Sequence, residues 1–253
     1  MLAPSPRRPN SKAIHRAHGA SRVGELRYTQ QLQAVMKGFH KAAMRGIEPY
    51  LRDITWMHTD ATRWGIGLED RLHHFIQQIP GHVEPAFDHM AREVNAKNLE
   101  VQTDLLGFRP PSGGVPTVIE TAKHANIQLM VKAADDYAES LLAVMEDPEA
   151  WELSVDELVA VFNARGDASM FRAGLIARDQ AYKLNAAISE SRQRAAGVES
   201  YWWSTCLDER VRKTHRANEG VVFSWAAPSV VTGHPGHDPN CRCLAIPIVT
   251  AAP

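Results

Sequence analysis

The chain has 253 residues, with 28 Lys and Arg against 29 Asp and Glu, enough for one large domain or two modest ones with a real core. A formal net charge of −1 with neutral histidine argues against a general nucleic-acid binder or a whole-surface membrane binder, and no apolar run approaches the ~20 residues of a bilayer span. The opening segment lacks the apolar stretch of a secretory signal, and Cys206, Cys241 and Cys243 sit together in the last fifth of the chain, which suits a reducing compartment where clustered thiols bind metal rather than build a disulfide scaffold.

Residues 1–27 carry Arg7, Arg8, Lys12, Arg16, Arg22 and Arg27 against Glu25 alone, with prolines at 4, 6 and 9. Such a segment cannot form a core, so a flexible basic arm is expected over 1–27. It is either a solvated tail or a contact for phosphates or an acidic protein surface, made by Arg7, Arg8, Lys12, Arg16 and Arg22 and weakened by salt.

A helical region is expected over 28–110. Leu32, Val35, Met36, Phe39, Ala43, Ile47 and Tyr50 recur at threes and fours, which sets them on one helix face, and Pro49 with the stretch 52–60 is expected to end that helix. Leu68, Leu72, Phe75, Ile76 and Ile79 predict a second helix closed by Pro80-Gly81. Phe87, Met90, Val94, Val101 and Leu105 predict a third. The linker RPPSGGVP, 109–116, breaks regular structure and marks a subdomain boundary.

Beyond the linker, Ile119, Ile127, Met130, Val131, Leu141, Leu142 and Met145 predict one or two further helices. Ser154 and Glu157 form a capping box for a short helix carrying Leu158, Val159 and Phe162. Residues 167–196 read as one long helix ended by Gly197 at C′. Phe171, Leu175, Arg178, Tyr182 and Asn185 fall in one stripe, and a guanidinium there calls for a carboxylate partner.

Past Gly197 the pattern changes to strands. Tyr201-Trp202-Trp203, Val221-Val222-Phe223 and Leu244–Val249 have strand propensity, and Pro247 confines the last to an edge or a bulge. The expected fold is mainly α: a helical N-terminal and central region with a small C-terminal α+β module, a long helix plus short antiparallel strands.

The chemistry is concentrated in Trp203–His215 and His234–Cys243. Thiolate and imidazole donors in tetrahedral array are what zinc prefers. Cys241 and Cys243 project to one side of an extended segment, and His215 is the best third ligand. His234, Asp208 and Cys206 are alternatives for a fourth place. The competing metal-free reading is two small buried thiols beside a His215 satisfied by backbone. Asp208 is a natural bidentate partner for Arg178 or Arg242, and Asp208 and Arg210 share a face if their segment is extended. No nucleophile elbow, Walker A loop or dinucleotide glycine motif accompanies these residues, so no catalytic residue is assigned and no cofactor beyond a structural zinc.

These residues carry a resemblance. Ala177-Arg178-Asp179-Gln180, Gly197, Tyr201, Trp203, Asp208, Arg210, Arg212, His215, Gly220, Phe223, Pro235-Gly236, Asn240-Cys241-Arg242-Cys243 and Pro247, in that order, resemble the Mu F-like (SPP1 gp7-like) family of phage head morphogenesis, or minor capsid, proteins. The clear match spans about 166–249 within a domain placed at 111–250, with a looser helical similarity back to about 117. Members usually have no Cys at the place of Cys206, which weakens it as a ligand. The resemblance implies a non-enzymatic virion component of few copies, acting in capsid assembly and DNA packaging or ejection near the portal. Its implied partners are the portal protein, other capsid proteins and packaged DNA, with no membrane. Its implied place is the phage head, after assembly in the host cytoplasm. The alternative is a metal-dependent hydrolase, a nuclease or peptidase, which needs a catalytic metal with an open coordination position.

Overall fold

The structure is a computed structural model, and it describes residues 22–51 and 61–249. Its elements are α1 (Arg22–Leu51), α2 (Ala61–Leu106), α3 (Val115–Glu146), a 3-10 turn (Pro148–Glu152), α4 (Val155–Ala195), β1 (Ser200–Ser204), α5 (Lys213–Ala217), β2 (Val222–Ser224) and β3 (Leu244–Pro247). The mainly helical class with a small C-terminal α+β module is therefore the observed one. No helix among the described residues is long and apolar enough to cross a membrane.

Local signals are realised closely where they are chemically specific. The α1 core face is Tyr28, Leu32, Met36, Phe39, Ala43, Ile47 and Leu51, all buried; of the expected face, Val35 is half-buried and the Tyr50 side chain lies outside the described residues. Ser154 caps α4 as a capping box: its backbone N–H donates to Glu157 Oε2 at 2.8 Å, and the Glu157 N–H donates back to Ser154 Oγ at 3.4 Å. At the other end, Gly197 at φ 78 closes a Schellman motif. There the Val198 N–H reaches Gln193 O at 2.9 Å and the Gly197 N–H reaches Arg194 O at 3.0 Å.

Helix boundaries depart from expectation in one consistent way: breakers lie inside helices. Pro49 falls within α1, and Pro80 and Pro85 within α2, which runs unbroken where two helices were expected. A proline inside a helix costs ~3 kcal/mol. Ile79, Val83, Phe87 and Met90 flank those prolines and are fully buried, each contributing roughly 1.5–3 kcal/mol, so burial outweighs the lost bond. The short and long helices expected after Ser154 are likewise one element, α4, which passes through Gly166. An added Cβ at Gly166 would lie 2.6 Å from His40 Nδ1; glycine is there because another side chain occupies the space, not because the helix ends.

The basic segment expected to be flexible through residue 27 is helical from Arg22 onward. Arg22 is exposed at the start of α1, while Arg7, Arg8, Lys12 and Arg16 lie outside the described residues. In α4, Phe171 is 67% exposed, so the buried stripe is not the one expected. It is Ala173, Ala177, Ala181, Leu184 and Ile188. Alanines give a weak hydropathy signal, and the bulkier Leu175 and Tyr182 are only half-buried.

The chain divides into two compact units, each drawing on separate stretches of sequence. One comprises 27–51, 61–88 and 123–177 of the described residues and is helical. Its core stacks Phe39 on Phe75 at 4.6 Å and sets Tyr137 edge-on to Phe39 at 5.3 Å. His40 bridges Tyr137 Oη at 2.6 Å and Asn163 Oδ1 at 3.1 Å, and Tyr28 donates to Asn126 Oδ1 within the same unit.

The other unit comprises 22–26, 89–122 and 178–249 of the described residues. Its sheet has the order β2-β1-β3, antiparallel throughout. Tyr201 pairs with Phe223 on one side and with Pro247 on the other. Pro247 thus sits in an edge strand, where a missing N–H is tolerated. Tyr201 and Trp203, two residues apart on one face of β1, are fully buried. They form a core with Leu106, Val198, Trp225, Cys241, Cys243 and Ala245.

Candidate metal centre and its braces

Three segments carry the cluster. The five-residue α5 turns His215 inward, 2% exposed; the loop before β3 supplies Cys241, 4% exposed, and Cys243, 6% exposed. Their donor atoms all lie within 4.8 Å of one another. His215 Nδ1 is 3.5 Å from Cys241 Sγ and 3.5 Å from Cys243 Sγ. Trp203 covers the imidazole edge-on, with centroids 5.5 Å apart.

The other nitrogen of the ring explains its orientation. His215 Nε2 donates to Asp238 Oδ2 at 2.7 Å; a carboxylate only accepts, so the proton sits on Nε2 and Nδ1 offers its lone pair to the sulfurs. His215 is satisfied by this carboxylate, not by backbone. The Gly236 N–H donates to Cys241 Sγ at 3.3 Å. The Cys241 thiol is lowered, first by the hydrogen bond from Cys243, while Cys243 is raised by giving that bond and by burial.

The remaining sequence candidates go elsewhere. His234 packs under Trp225 at 4.9 Å and pairs through Nδ1 with Tyr201 Oη at 2.8 Å; burial lowers its pKa, which keeps it neutral. Cys206 donates to Asp208 Oδ1 at 3.5 Å. Arg242 donates to Asp208 Oδ2 at 2.6 Å, so of the two cations foreseen for Asp208 the structure brings Arg242. Arg178 instead faces Glu25 Oε1 at 3.5 Å, and Tyr182 donates to Glu25 Oε2 at 2.8 Å. Asp208 lies in a bend rather than an extended run, and its Oδ1 accepts the Arg210 N–H at 3.1 Å.

Partial burial works against charge on Asp208, but the Arg242 bond, with help from Cys206 and the Arg210 N–H, outweighs it and holds the carboxyl below its ordinary range. A carboxyl lowered by folding stabilises fully above its unfolded pKa, and that stability is lost as pH falls through the folded value. Asp208→Asn is expected to cost about 1 kcal/mol or less at pH 7, because both partners are about a third exposed (30% and 38%) and solvent screens the pair. The gap to the unsubstituted protein should close below about pH 4. Denaturant titrations at the two pH values check this, and a gap that stays constant contradicts it.

Some braces had no usable sequence signal. Asp179 on α4 accepts the Asn240 N–H at 2.5 Å through Oδ1, fastening the loop that carries the thiols; Asn240 sits at φ 55, a conformation asparagine tolerates. Arg192 is buried and donates to Asn98 Oδ1 at 2.6 Å and Asn95 Oδ1 at 2.7 Å. Gln193 reaches Gln102 Oε1 at 3.1 Å and Ala245 O at 3.0 Å. Each joins residues 52 or more apart in sequence, beyond any local pattern.

A long helix with a C′ glycine, a three-stranded antiparallel sheet, and one His and two Cys converging beside the Trp203 ring define a small braced α+β module. Residues 149–246 match the family described as phage Mu protein F like protein. The match begins between the two limits, 117 and 166, set by the loose and the clear resemblance. A protein of Haemophilus influenzae described as uncharacterised is 37% identical over 165 residues, which is 65% of this chain and 36% of that protein. The chain thus spans about a third of the length of that relative. No solved structure matches.

Proposed function

We propose that the protein is a phage head morphogenesis (minor capsid) component. It acts without chemistry of its own in capsid assembly, and in DNA packaging or ejection near the portal. The observation that carries this reading is the coincidence of the family match over 149–246 with a module in which His215, Arg242 and Asn240 are tied to Asp238, Asp208 and Asp179. His215, Cys241 and Cys243 are all buried, which favours holding over hydrolysis. A zinc ion in this setting is a brace. The basic segment around Arg7, Arg8, Lys12 and Arg16 supplies contact with the portal protein or with packaged DNA, by charge.

The test is to isolate heads and assembly intermediates from cells producing the phage, with the full chain or with a chain lacking residues 1–21. The full chain is expected in the particles. The truncated chain, which keeps Glu25 and its ties to Arg178 and Tyr182, is expected to fold but to enter fewer particles. Absence of the full chain from both heads and intermediates overturns the assembly role. Equal incorporation of both chains overturns the role of the basic segment alone.

A further inference from the structure

We infer that His215 Nδ1, Cys241 Sγ and Cys243 Sγ form a three-ligand site for a thiophilic divalent cation, zinc by its donor chemistry, with Asp238 as the carboxylate that orients the histidine. The distances carry this. Tetrahedral zinc with bonds of ~2.3 Å to sulfur and ~2.0–2.1 Å to nitrogen sets nitrogen and sulfur about 3.6 Å apart. The structure has 3.5 Å to each sulfur.

Two further features suit charged sulfur and a bound cation. The Nε2–H bond to Asp238 fixes the tautomer a metal requires. The Gly236 N–H points at Cys241 Sγ. Cys206, Asp208 and His234, each foreseen as a fourth ligand, have other partners, so the described residues supply three donors. The ion ties α5 to the loop that leads into β3. This site stands on its geometry and is independent of the assembly role; a metal-free particle would leave that role intact.

The experiment loads the full chain with zinc, removes excess ion by gel filtration, and measures bound metal; cobalt replaces zinc in a parallel sample for spectroscopy. The expected result is a near-equimolar ion and a sulfur-to-cobalt charge-transfer band in the unsubstituted protein. Cys241→Ser, Cys243→Ser and His215→Gln should lose most of the ion, while Cys206→Ser and His234→Gln keep it. Asp238→Asn should weaken affinity roughly 10–100-fold. The cobalt spectrum of the unsubstituted chain reports thiolate ligation even if a ligand variant fails to fold. No retained ion, a cobalt spectrum without the sulfur band, or loss of metal in Cys206→Ser equal to that in Cys243→Ser overturns the site.

Discussion

Replacing Gly236 by alanine is expected to destabilise the C-terminal module by roughly 2–5 kcal/mol. Two costs combine. Gly236 has φ 91, outside the range an L side chain adopts readily. Its added Cβ would also lie 2.3 Å from the Ala186 Cβ on α4, so the loop must lift off the helix. Lifting it pulls the Gly236 N–H away from Cys241 Sγ and strains the Asn240–Asp179 contact one turn further on. Denaturant unfolding followed by tryptophan fluorescence checks the prediction, since Trp203 and Trp225 are both buried in this module. Adding Ala186→Gly should restore part of the loss by making room, but not the part due to φ. A single variant within 0.5 kcal/mol of the parent contradicts the packing described.

The second large effect is at Trp203. It is fully buried, stands edge-on to His215 and lies 5.9 Å from Phe223. Trp203→Ala is expected to cost about 3–5 kcal/mol, from lost apolar burial and from the cavity left against Cys243 and Ala245. Trp203→Phe should cost much less. It keeps most of the ring volume and removes an indole N–H that is buried without a hydrogen bond, a group whose burial costs ~1–3 kcal/mol. Thermal unfolding of the two variants side by side measures the difference. Equal losses would mean that the N–H contributes as much as the ring.

Much of the architecture was legible from residues near one another. The α1 face from Leu32 to Ile47, the Ser154–Glu157 capping box, the Gly197 stop and the three strands all follow from interactions within a few positions. Periodicity, capping and β propensity act at that range, so sequence alone sufficed. The Cys-x-Cys pair and His215 were legible too, because donor chemistry restricts which residue types can meet.

Where the sequence misled, a distant group had altered a local preference. Pro80 does not end α2, because burial of Ile79, Val83 and Phe87 exceeds the cost of one backbone bond. Gly166 does not end a helix, because His40 fills the space beside it. The partner of Arg178 is Glu25, 153 positions away, and the carboxylate that orients His215 is Asp238 rather than a ligand candidate. Helices, caps, strands and the donor types were thus determined by the sequence itself. Which helices run through their breakers, which ions pair and which three donors converge were decided by the tertiary structure, since burial and electrostatic pairing are summed over contacts that chain proximity does not encode.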